Sequence, residues 1–136
     1  MTRNLLIVLT IVASLFFAVA TVSAHHSAAA SYDTTKHITL KGTVTRVEWK
    51  NPHVFYFIDA PDSSGKVVNW AIEASTPNQL YRAGWRKTDL PVGSMVTLAD
   101  TSPARNGSSK ASGGKLTLPD GRKVMSGYAG NEGENQ

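Results

Sequence analysis

From Lys41 to Ala74 the chain carries apolar and polar residues in the two-residue rhythm of β-strands, and most of the Trp, Phe and Ile downstream of Ala24 lies here. Three strands are predicted. The first runs from His37 to Trp49, with Ile38, Leu40 and Val44 on one face and Val47 and Trp49 in the opposite phase. A side-chain period of two permits this switch only with a bulge or strong coiling near Thr45–Arg46. Gly42, inside that strand, suits the corner of a small closed barrel. Pro52 cannot donate to a ladder and holds Asn51 extended, so the chain must turn at Lys50–Asn51–Pro52, which would set Trp49 and His53 opposite each other. The second strand, His53 to Ala60, is apolar on both faces: Val54, Tyr56 and Ile58 on one, Phe55 and Phe57 on the other. Both faces are therefore expected to be covered. The third, Lys66 to Ala74, alternates, with Val68, Trp70 and Ile72 inward and Asn69 and Glu73 outward.

A helix follows. Thr76 is a good N-cap, Pro77 fits the first helical position, Gln79 completes a capping box, and Gly84 suits the stop. About two turns of this kind can plug a barrel end but do not stand alone. Trp85 is expected to pack beneath. The fourth strand is placed at Ser94 to Thr101, and Ser102 to Gly114 reads as a flexible loop. Leu116–Leu118 and Lys123–Met125, around the turn signal Pro119-Asp120-Gly121-Arg122, form the last strand and a small hairpin. The order strand, strand, strand, short helix, strand, strand, with a bent first strand, predicts a mainly β fold: a five-stranded OB-like barrel with one short helix between strands three and four. An open antiparallel sheet crossed by one helix would use the same core residues.

The N-terminus changes the domain picture. A short basic start containing Arg3, the apolar run Leu5 to Val22, and small residues at Val22-Ser23-Ala24 have the layout of a secretory signal peptide. The alternative is a retained anchor, since the run approaches the ~20 residues that span a bilayer. The expected organisation is a signal peptide at 1–24, a loosely held arm at 25–36, the barrel at 37–127 and a disordered tail at 128–136. Removal of the leader leaves 112 of the 136 residues, with 13 basic and 10 acidic side chains and a formal charge of +3. Mild basicity of this kind demands no nucleic-acid partner. The absence of Cys excludes disulfides, thiolate metal sites and a Cys nucleophile. The protein is thus expected to be exported, periplasmic or secreted, and stabilised by packing alone.

Several short runs occur together: AHHS after the leader, Tyr32-Asp33, LKGTV, VEWKNPHV, NW followed by Glu73, TPN, GW and LPDGRK. In combination they resemble the small exported bacterial proteins of domain-of-unknown-function family 6152, over nearly the whole chain after the leader. The resemblance implies a bacterial, exported protein and brings no activity, ligand or catalytic residue with it.

The residues that carry candidate chemistry are few. Cleavage after Ala24 would free an amine on His25, and that amine, the His25 ring and His26 together offer nitrogen ligands suited to copper or zinc, Cu(II) above all. The amine titrates near ~7.7 and the ring near ~6.5, so both can be deprotonated at neutral pH. His53, at the barrel rim beside Trp49, offers a third imidazole within the arm's reach, and Trp49, Asn51 and His53 form a candidate ligand rim. Against these stand plainer readings: a His pair that follows the cleavage site by chance, and a turn histidine that stacks on Trp49. Asp33 and Glu73 read as solvated carboxylates without an evident partner. Trp49, Phe55, Phe57 and Trp70 resemble a base-stacking platform, but such residues are more often core, and an exported chain meets little nucleic acid. No nucleophile motif, phosphate loop or zinc signature occurs. The expected function is therefore a non-catalytic exported binding module presenting a rim or aromatic face to a small ligand or an envelope protein. A copper- or zinc-binding protein using His25, His26 and His53 is the alternative, and a hydrolase-like enzyme a second one.

Overall fold

Closure of the barrel depends on one long strand that pairs along both edges. The structure, a computed structural model, describes residues 30–127. Strand β1 (Ile38–Glu48) pairs through its first half with β4 (Met95–Pro103) and through its second half with β2 (Phe55–Pro61), and Thr43 faces both Met95 and Asp59. The register slips between Val44 and Arg46, where the change of apolar phase requires it, and again between Ile38 and Leu40. Strand β2 pairs antiparallel with β3 (Val67–Glu73), which lies parallel to β5 (Lys110–Ser112), and β5 returns antiparallel to β4. The five strands close into the expected OB-like barrel in the order β1-β2-β3-β5-β4. Strands β6 (Lys115–Thr117) and β7 (Lys123–Met125) form a hairpin laid on the outer edge of β4.

Pairing of β1 with β4 closes the barrel. The fifth strand differs from the expectation, which puts it at the hairpin downstream of Gly114 and reads Ser102 to Gly114 as a loop. Instead β4 runs on to Pro103, and Lys110–Ser112 completes the barrel. Polar small residues conceal this strand because its contribution is backbone pairing plus one buried methyl, Ala111.

Helix α1 (Pro77–Arg82) begins with the capping box foreseen: the Thr76 side chain accepts from the Gln79 amide, and the Gln79 side chain accepts from the Thr76 amide. Six residues cannot hold a helix by themselves. Leu80, buried beneath it, adds roughly 1.5–3 kcal/mol of transfer free energy. Trp85, fully buried just past α1, packs at 6.0 Å from the Tyr56 ring, and its Nε1 donates to the Met125 carbonyl. It thereby joins helix, barrel and hairpin. The rest of the core includes the inward set Leu40, Val44, Val54, Ile58, Trp70, Ile72, Val96, Leu98 and Leu116. Among the described residues, no helix is long and apolar enough to cross a membrane.

Three substitutions test this packing by urea unfolding. At Gly42 an added Cβ would sit 2.1 Å from the Asp59 carbonyl oxygen, a backbone atom in the paired strand, so Gly42→Ala should destabilise by roughly 1–3 kcal/mol or more. Trp85→Ala should cost roughly 3–5 kcal/mol. The Ser102 hydroxyl is buried without a hydrogen-bond partner, and Ser102→Ala should be neutral or stabilising, since it removes an unpaired polar group.

Candidate functional site

On β2 the odd-numbered side chains face outward, and on β3 Glu73 does so too. Pairing places Phe55 directly across from Glu73, and the bonds from Val54 N–H to Ser75 and from Ala74 N–H to Val54 extend that pairing past the strand end. His53 is thereby the diagonal neighbour of Glu73 on the outer face. Its Nδ1 lies 2.5 Å from Glu73 Oε1. A carboxylate only accepts, so the imidazole proton of this bond belongs to Nδ1, and in the neutral ring Nε2 carries the lone pair. The His53 side chain is 38% exposed and that of Glu73 16%, so the carboxylate is largely sheltered while the ring's far edge reaches solvent.

The second oxygen of Glu73 accepts from the Tyr32 hydroxyl at 2.7 Å. Tyr32 is buried, although nothing in the sequence around it has a period. Backbone bonds hold it there: Asp33 N–H donates to Pro103, Arg105 N–H donates to Ser31, and Tyr32 bridges Ala104. From residue 30 onward the arm is thus docked along the end of β4, not loosely held as expected. Burial, reinforced by the Glu73 carboxylate, raises the Tyr32 phenol well above the ordinary tyrosine range, so it stays protonated and donates.

Beside this chain lies a cleft of about 480 Å³. Its walls are residues 30–32 of the arm, Phe55 and Glu73 of the barrel, the β4–β5 loop with Arg105 and Asn106, and Lys110 at the start of β5. Two cationic side chains line it together with one carboxylate that already accepts two hydrogen bonds.

The expected rim residues separate. Trp49 turns away toward α1, edge-on to Tyr81 at 5.9 Å and 6.5 Å from Trp85. Asn51 is exposed on the corner, where the Asn51–Pro52 peptide is cis. His53 is drawn to Glu73, so the predicted stacking partner of the histidine is replaced by a carboxylate. Glu73 itself is not the solvated, partnerless residue expected of it. Strand parity already put it on the face of His53 and Phe55; what the sequence lacked was the register that set them side by side. Tyr32 left no such signal. Trp70 is core, whereas Phe55 and Phe57 are half-buried outside, Phe57 beneath the Arg46 guanidinium at 3.8 Å. The second face of β2 is therefore covered by a cation and a cleft in place of a second apolar layer. His25 and His26 lie outside the described residues, as do the expected signal peptide at 1–24 and the expected tail from 128.

The docked arm makes an alkaline prediction. The folded-state pKa of Tyr32 lies above the unfolded value of about 10, so its contribution is complete below pH ~10 and is lost as pH rises through the folded value. Buried Tyr56 is shifted the same way. Stability should therefore fall above pH ~10, with a shallower fall in Tyr32→Phe. At neutral pH that variant should lose roughly 1–2 kcal/mol and expose the arm to limited proteolysis.

No curated protein and no solved structure matches the chain. Residues 13–114, which are 102 of the 136 and include β1 through β5, match the family described as "Family of unknown function (DUF6152)", and the chain belongs to that family.

Proposed function

We propose that this protein is an exported, non-catalytic binding module that holds a small anionic ligand in the cleft between the docked arm and the β4–β5 loop. One observation carries the reading: a cleft of about 480 Å³ whose wall holds Tyr32 and Glu73, hydrogen-bonded to each other. A cleft of that size falls within the range of small-molecule sites. Phe55 offers an apolar face and Lys110 a cation, while the one carboxylate of the lining is already engaged by Tyr32 and His53, which favours a ligand with a negative group. OB barrels commonly bind on the face of strands two and three and at the loops that follow strands one and four, and the cleft lies beside Phe55 and Glu73 and the loop after strand four. Binding needs no more than these walls. A hydrolytic reading needs a nucleophile held against His53 Nε2, and no sequence pattern marks one. Export rests on the basic start, the apolar run and the small residues before His25.

Benzoate and inorganic phosphate are suitable probes, the first matching Phe55 plus a cation, the second a cation alone. Backbone amide shifts on titration should cluster at Phe55, Glu73 and the loop from Ala104 to Lys110. Lys110→Glu should weaken benzoate binding at least about tenfold, which is 1.4 kcal/mol. Shifts confined to other parts of the barrel would overturn the cleft assignment, and catalysed consumption of a bound ester would overturn the non-catalytic one.

A further inference from the structure

The apolar surface of the cleft continues past Phe55. Phe57 stands two residues further along β2 on the same outer face, and at its level the register lines up a row across the sheet: Arg46 on β1, Phe57 on β2, Ala71 on β3 and Lys110 on β5. Phe55, Phe57 and Ala71 point outward and are half-buried, so they make an apolar floor that adjoins the cleft. Ala71 brings only a methyl group, which keeps the floor low between Phe57 and Lys110.

Charge borders this floor. At one end of the row the Arg46 guanidinium lies 3.8 Å from the centre of the Phe57 ring, on a side chain that is 60% exposed. One of its nitrogens is 3.4 Å from Glu48, which Lys50 engages more closely at 2.8 Å. A guanidinium has several N–H donors, so most of the fork is left for another anion. At the other end Lys110 is exposed and lines the cleft. The neighbouring rows carry carboxylates: Glu73 across from Phe55, bonded to Tyr32 and His53, and Asp59 across from Asn69, which donates to it at 2.7 Å. Cations at the ends of the row and carboxylates on either side of it set the direction an anionic ligand takes, across the strands from Arg46 to Lys110. Two strand spacings separate Phe57 from Lys110, about 10 Å.

We propose that the ligand of the cleft is an aromatic dianion with its negative groups at opposite ends, one at Lys110 and the other at Arg46, and its planar middle on Phe55, Phe57 and Ala71. This dianion site rests on the cleft reading above and adds to it a second charge and a shape. An apolar floor with a few placed polar groups at its margins is the usual make-up of a small-molecule site. Arg46 suits its end because the guanidinium is planar, matches a carboxylate with two N–H groups, and is oriented by the ring beneath it.

The test compares three probes on the full chain by backbone amide shifts: benzoate; terephthalate, with carboxylates at opposite ends of one ring; and phthalate, with the same charge on adjacent carbons. Terephthalate should bind at least about tenfold more tightly than benzoate, and phthalate within about threefold of it. Terephthalate alone should also move the amides of Arg46, Phe57 and Ala71. Arg46→Gln alters an exposed side chain and should leave the melting temperature and benzoate affinity nearly unchanged, while terephthalate falls to the level of benzoate. Arg46→Lys keeps the charge and should keep part of the gain. Phthalate binding as tight as that of terephthalate would overturn the proposal, as would a terephthalate gain that survives Arg46→Gln. Benzoate binding in the cleft with no gain for terephthalate overturns the dianion and leaves the cleft reading standing. No shift at Phe55, Glu73 or Lys110 with any probe overturns the cleft reading and the dianion with it.

Discussion

A barrel of five short strands closes only if one strand serves two partners, and that requirement falls on β1. Its first half lies against β4 and its second against β2, and the side chains must change faces between them. The slip between Val44 and Arg46 accomplishes the change, and Gly42 lets the backbone of β2 come closer than any side chain would allow. With no disulfide available, this geometry and the core it encloses hold the protein together. Trp85 does for the end of the barrel what β1 does for its wall. It ties α1, Tyr56 and the terminal hairpin into one packed unit.

The outer face of β2 follows from the same closure. Once the inner face is committed to Val54, Tyr56, Ile58 and Ala60, the alternate residues His53, Phe55 and Phe57 must point outward. They are too large or too polar to leave bare, and each finds a different cover. Arg46 lies over Phe57, the cleft opens over Phe55, and Glu73 engages His53. The docked arm completes this face by bringing a tyrosine hydroxyl to the remaining carboxylate oxygen. A half-buried carboxylate with two good donors is well compensated, whereas the same group left alone there would be costly. The outward face of one strand pair thus carries a continuous polar chain, and the proposed function draws on it.

Family membership carries no activity with it, so the chemistry must be argued from the residues themselves. The cleft reading draws on Phe55 and Lys110, and Glu73, bonded to both Tyr32 and His53, decides whether the arm and the imidazole lie where they do.

Much of the barrel was legible in the residue order. The two-residue period marked the three meandering strands, the lost phase in the first strand located its bulge, and Thr76, Pro77 and Gln79 marked the helix start. These features are local, written in neighbours a few positions apart. The closing strand and the site were not legible, because both are made by partners distant in sequence. Lys110–Ser112 is a strand through its pairing with Ala71–Glu73 and Ser102–Pro103, not through any apolar pattern of its own. Tyr32 and Glu73 stand 41 positions apart, and His53 and Glu73 stand 20 apart. The sequence could say which face each strand residue would take, because parity is intrinsic to an extended chain. Only the register between strands, set by the closed barrel, could say which of those residues would touch.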